Sequence, residues 1–274
     1  MDSVTQAVLG ASVGELFLGR KLGNRAMAWG AAIGTLPDLD VVSRMFLSHE
    51  VYGLVYHRGL SHSILLTIVL PFLLAYLAQR YYASGTNQRP AVQNFFAGVW
   101  LLFYALILFG ALTLTFLLPS LPTVAIALAL SGGAYYWYKS TMRERINGLT
   151  VTCDASYQRW YWMFFFGIFT HWFIDACTAY GTQIFEPFSS YRVAFNNISI
   201  VDPLYTLPFL IFLTAVYFAR RPRQRQFYNG LALGLSSAYM AFTFYAKHLA
   251  NVAAEKSLLS ANIAYTSYMT TPDR

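Results

Sequence analysis

Six apolar stretches, near residues 59–79, 91–118, 121–138, 157–178, 203–219 and 227–249, dominate the chain. Each approaches the roughly 20 apolar residues that carry a helix across a hydrocarbon core. The remainder cannot dilute them to a soluble composition: charged residues make up 11% of the chain, against about 25% in soluble domains. Two shorter stretches, 3–19 and 26–43, are rich in Gly and Ala. Gly10, Ala11, Gly14, Gly30, Ala31 and Gly34 suit close helix contact in lipid, where small residues let backbones approach. The expected fold is all-α: a polytopic membrane helix bundle of about eight helices, six long and spanning, two short and N-terminal. Residues 1–255 read as one membrane-embedded domain and 256–274 as a short C-terminal tail.

Met1-Asp2-Ser3 carries no basic segment and no cleavage site follows, so no removable signal peptide is expected. The two cysteines, Cys153 and Cys177, allow neither a disulfide framework nor a thiolate metal site. The net charge of +7 does not imply nucleic acid, because the cations sit in loops rather than on a patch with exposed aromatics. Topology accounts for them. Alternating eight helices across a bilayer gathers Arg20, Lys21, Arg25, Arg80, Arg89, Lys139, Arg143, Arg145, Arg159, Arg220, Arg221, Arg223 and Arg225 on one face, which the positive-inside rule makes cytoplasmic.

The opposite, extracytoplasmic face receives Pro37-Asp38-Leu39-Asp40, His57-Arg58-Gly59-Leu60-Ser61-His62-Ser63, His171-Trp172-Phe173-Ile174-Asp175 and Ile200-Val201-Asp202-Pro203. Ionisable groups beside membrane helices are costly, about 2.5–3.5 kcal/mol for Asp at a helix centre, and a bound cation would be a shared reason for keeping them. His171 and Asp175 lie one turn apart on one helix face. Of Asp38 and Asp40, one ligates while the other orients a histidine from outside the ligand shell. His57 and His62 flank the start of the third helix, which Ser61 and Ser63 are placed to cap. Arg58 suits a bidentate clamp on an anion such as phosphate. A nitrogen and oxygen donor set without thiolate suits zinc, manganese or iron, with one to three zinc ions expected. Plain structural roles compete at some positions: the Asp38/Asp40 pair as a turn cap, Asp202 as an N-cap before Pro203, His171/Asp175 as a buried hydrogen-bonded pair, and Glu15 as either a site residue or an interhelical partner.

Taken with Met1-Asp2-Ser3-Val4-Thr5-Gln6-Ala7-Val8-Leu9-Gly10, Gly34-Thr35-Leu36-Pro37 and Thr178-Ala179-Tyr180-Gly181-Thr182-Gln183, these clusters resemble the YdjM-like family of inner-membrane-associated metal-dependent hydrolases over residues 1–206. Gln6 stands where many members have His. Members often continue beyond residue 274, so the tail reads as truncated. That family is distantly similar to zinc-dependent phospholipase C and P1-type nucleases. The resemblance implies a phospholipase C-like metal core, with His171 and Asp175 as ligands, an Asp of the 38/40 pair bridging ions, and His57 or His62 completing the site. The expected activity is hydrolysis of a phosphoester in a membrane lipid or lipid-linked substrate, with metal ligands Asp38, Asp40, His57, His62, His171 and Asp175 and catalytic residues Arg58, Asp40 and Asp202. A non-phosphate hydrolase with the same site, a metal-stabilised scaffold or regulatory protein with a protein partner, and a transporter are the alternatives.

Overall fold

The computed structural model describes residues 1–40, 58–117 and 153–272, with parts of 124–139. Seven α-helices have described bounds: α1 (Ser3–Leu22), α2 (Asn24–Thr35), α3 (Ile64–Ala83), α4 (Pro90–Leu117), α5 (Tyr157–Ala176), α6 (Pro203–Phe218) and α7 (Pro222–Ser260). Helical residues also occur between 124 and 139, and no strand is present among the described residues. The all-α expectation holds. Two compact units form, one from Met1–Gln79 with Asp154–Arg274, the other from Arg80–Cys153.

In the first unit α1 is the hub, packing on α2, α5, α6 and α7. Its start is set by Asp2, whose carboxylate accepts from the Thr5 backbone N–H at 2.9 Å and the Thr5 hydroxyl at 2.6 Å. Its end carries Arg20 and Lys21, cations that complement the C-terminal dipole. The chain then turns at Gly23, which has φ +57°, a backbone that favours glycine. The α1–α2 hairpin is closed by glycines: a Cβ on Gly14 would lie 2.1 Å from the Ala26 carbonyl oxygen, and one on Gly30 would lie 2.1 Å from that of Gly10. This is the close contact that the small residues predict.

Leu18, Trp160, Met163, Ile168 and Ile174 are almost completely buried at the junctions around α1, and Phe209, Val216 and Ala232 close the α6–α7 side. A second buried contact is ionic. Arg225 of α7 donates through Nε and Nη2 to the two oxygens of Glu15 on α1, and through Nη1 to Asn24 Oδ1 at 2.6 Å and the Val216 carbonyl at 3.1 Å. Glu15 is thus an interhelical partner.

Among the described residues, α3 is long and apolar enough to cross a membrane by itself, while α6 is apolar but has 16 residues. On α3, Leu65, Ile68, Val69, Phe72, Leu73 and Leu77 are exposed, a contiguous apolar surface of the kind that marks an interface or a membrane contact. The stretch expected as a helix over 121–138 lies largely outside the described residues. In the second unit, Gly85 takes the left-handed conformation ahead of a 3-10 turn, Thr86–Gln88, and α4 follows from Pro90, where the missing N–H of proline costs the helix nothing.

Candidate metal centre

Two helices and two turns converge at one point of the first unit. α2 runs into a 3-10 segment over 36–40 that holds Asp38 and Asp40. The turn Leu60–His62 carries His62 to the mouth of α3, where the Ser63 hydroxyl oxygen accepts the Leu66 N–H at 3.1 Å. The cap of α3 is therefore Ser63. α5 presents His171 and Asp175 from one face, both fully buried.

The orientation of each imidazole follows from its partner. His171 Nδ1 faces the Gly34 carbonyl oxygen at 2.5 Å. A carbonyl only accepts, so Nδ1 bears a proton and Nε2 faces the cluster. For His62 the partner is Ser61, whose Oγ lies 3.0 Å from Asp40 Oδ2 and 2.8 Å from His62 Nδ1. The hydroxyl proton goes to the carboxylate, so Ser61 accepts from Nδ1–H and Nε2 is the His62 atom that faces the cluster. The two Nε2 atoms are 2.9 Å apart.

Around that pair stand two carboxylates. Asp38 Oδ1 is 3.5 Å from His62 Nε2 and 3.4 Å from His171 Nε2; Asp175 Oδ2 is 3.4 and 3.6 Å from the same atoms. Asp175 Oδ1 accepts from the Met1 ammonium and from Gln6 Nε2, the latter at 3.0 Å. Oδ2 is buried with no hydrogen bond, since the Arg58 Nε ion pair at 3.2 Å does not satisfy either atom. One donor atom from each of Asp38, His62, His171 and Asp175 lies within 4.8 Å of all the others. The residues could hold a cation: ligands at about 2.0–2.1 Å around tetrahedral zinc stand roughly 3.3 Å from one another, close to the histidine–carboxylate separations here. Burial alone raises the Asp38 carboxyl, but hydrogen bonds and charge from His171 and His62 outweigh it and hold that group well below the usual carboxylate range.

Arg58 is buried at φ +61°, a strained backbone fixed from both sides: its N–H donates to Asp40 Oδ2 at 3.0 Å and its carbonyl accepts the Gln183 N–H at 3.0 Å. Its Nη1 reaches Thr178 Oγ1 at 3.3 Å and the Gly181 carbonyl at 3.4 Å. The arginine expected as an anion clamp thus braces Asp175 and the segment after α5. Asp40 lies one shell out, orienting His62 through Ser61. Asp202 is not among the converging groups. It caps α6 by accepting from Leu204 N at 3.0 Å and Tyr205 N at 3.2 Å, and receives the Tyr239 hydroxyl at 2.9 Å. His57 lies outside the described residues.

Three contributors have little signal in the sequence. The Gly34 carbonyl has no side chain to betray it, and the Met1 amine is visible only in the fold. Ser61 stands inside the His-Arg-Gly-Leu-Ser-His cluster, where its spacing also fits a cap.

Comparison with known proteins supplies the wider setting. Residues 1–250 match the family model described as YdjM inner membrane protein. Over 84 residues the chain is 34% identical to the inner membrane protein YbcI of Escherichia coli K12, a match covering 30% of this chain and 47% of that protein. The alignment thus spans about half the length of this curated relative. No solved structure matches.

Proposed function

The chain belongs to the YdjM inner membrane protein family, and from that premise we propose that it is a membrane-embedded, metal-dependent hydrolase that cleaves a phosphoester of a lipid or lipid-linked substrate, in the manner of phospholipase C-like phosphodiesterases. Zinc is the proposed ion, held by Asp38, His62, His171 and Asp175. The carrying observation is the convergence of one donor atom each from Asp38, His62, His171 and Asp175, all within 4.8 Å of one another, with the two Nε2 atoms 2.9 Å apart. A cation among these atoms would satisfy all four donors at once.

A divalent ion held by these residues would lower the pKa of water and stabilise charge developing on phosphoryl oxygens. The protein's own groups do the rest. Gly34 and the Asp40–Ser61 relay fix the two imidazoles, and the Met1 amine, Gln6 and Arg58 hold Asp175 in place. Such outer partners typically matter 10–100-fold in affinity or activity. The exposed apolar face of α3 begins at Ile64, two residues after His62, and supports access from lipid. The extracytoplasmic placement has support from α1: its 20 residues, about 30 Å at 1.5 Å each, separate the cluster from Arg20, which meets Gln226 on the α7 side. The basic end is the cytoplasmic one by the positive-inside rule.

The test is turnover. Zinc-loaded wild type in detergent, given a panel of short-chain phospholipids and lipid phosphates, releases a phosphorylated or dephosphorylated head group, and His171→Ala of verified fold does not. Stoichiometric zinc without turnover of any phosphoester would instead favour a metal-stabilised scaffold.

A further inference from the structure

The segment after α5 folds back as a hairpin whose two sides meet at Thr182 and Val193, with paired backbone bonds of 2.9 Å in both directions. It is tied to the end of α5 by Phe195 N–H on the Ala176 carbonyl at 2.7 Å and Asn197 N–H on that of Cys177 at 3.0 Å. The bend at Gly181 has φ +68°, and a Cβ there would sit 2.6 Å from the Val193 carbonyl oxygen and 3.0 Å from Arg192 Cγ. Only glycine lets Arg192 pack down at this point.

That packing places two guanidinium groups on one aromatic ring: Arg58 Cζ is 5.0 Å and Arg192 Cζ 4.6 Å from the Tyr180 centroid. Their situations differ. Arg58 has Nε beside Asp175 and Nη1 on Thr178 and Gly181. Arg192 Nη1 is buried without any hydrogen-bond partner. A buried cationic N–H lacking an acceptor loses its hydration without recompense, and the acceptor that suits a planar guanidinium fork is an oxyanion, above all a phosphoryl group.

We propose that Arg192, which shares the Tyr180 ring with Arg58, is a substrate-binding residue that takes a phosphoryl oxyanion on the side of Arg58, whose Nε adjoins Asp175. The inference rests on the hydrolase reading for the role of that anion, and its chemistry is shared by a lipid head group and free phosphate. Tyr180 offers each cation a π surface, while Arg58 stays with Asp175.

The experiment measures affinity for inorganic phosphate and for dihexanoylphosphatidic acid with the full-length, zinc-loaded protein in detergent, comparing wild type, Arg192→Gln, Arg192→Lys and the distant control Arg223→Gln. Metal content is followed in each. Arg192→Gln is expected to weaken both ligands about tenfold or more at unchanged metal content, Arg192→Lys to lie between, and Arg223→Gln to match wild type. Tighter binding of the lipid than of phosphate would assign the anion to a lipid head group; equal binding would assign it to phosphate alone. Unchanged affinity in Arg192→Gln, equal weakening in Arg223→Gln, or metal loss in Arg192→Gln would each overturn the proposal. If the anion site behaves as expected but no phosphoester is turned over, the hydrolase reading fails and the anion site stands.

Discussion

His62 and His171 present their Nε2 atoms to each other at 2.9 Å, each ring fixed from behind, one by Ser61 and one by the Gly34 carbonyl. With the proposed metal centre built on this pair, most expected consequences concern what holds it.

Ser61→Ala removes the link between Asp40 and His62 without touching a proposed ligand. Zinc affinity is expected to fall about 10–100-fold while the fold persists, as measured by competition with a chelator of known affinity. Unaltered affinity would mean that the relay does not orient the ring.

Asp202 separates a capping role from a catalytic one. Its carboxylate accepts two N–H groups at the start of α6, and asparagine caps helices about as well as aspartate. Asp202→Asn should keep both stability and turnover, whereas Asp202→Ala should cost about 1 kcal/mol in reversible unfolding. Loss of turnover in Asp202→Asn at full stability would restore the catalytic assignment.

The α1–α2 hairpin tolerates no added carbon at its centre. Gly14→Ala puts a methyl group within 2.1 Å of the Ala26 carbonyl oxygen, and backbone has to move to admit it. Overpacking of this kind costs about 1–3 kcal/mol, expected as a lower thermal midpoint in detergent. Gly230→Ala on α7, where a Cβ meets nothing within 4 Å, is the matched control and should not destabilise.

Glu15 and Arg225 form a buried bidentate pair. Glu15→Gln leaves Arg225 with an uncompensated charge, and breaking such a pair typically costs about 3–5 kcal/mol. The double variant Glu15→Met, Arg225→Met should recover much of that loss. A single variant as stable as wild type would contradict the importance of the pair.

The local features read most directly from the sequence are those with short-range causes. Gly10, Gly14, Gly30 and Gly34 mark a close hairpin because absence of a side chain is itself the signal, and His171 and Asp175 share a face because four residues make about one turn. Helix limits fall near the apolar limits for 157–178 and 203–219, but α7 runs from Pro222 to Ser260, well past 227–249, because polar residues continue a helix that apolarity cannot mark. By spacing both Ser61 and Ser63 fit a cap, and the fold gives Ser63 the helix and Ser61 the histidine. Arg58 reads as an anion clamp by type; its burial against Asp175 is a tertiary fact with no local cause. Arg192 carries no pattern at all, since its significance depends on Tyr180 and Gly181 being brought beneath it.

The most direct test of the central claim is zinc stoichiometry, measured by mass spectrometry on protein purified without chelator, for wild type beside a His62→Ala, His171→Ala double variant whose helicity and thermal unfolding are checked. About one zinc per chain in wild type, lost in the double variant, is the predicted result. Metal-free wild type that remains folded, or a double variant that retains the same zinc, would contradict it.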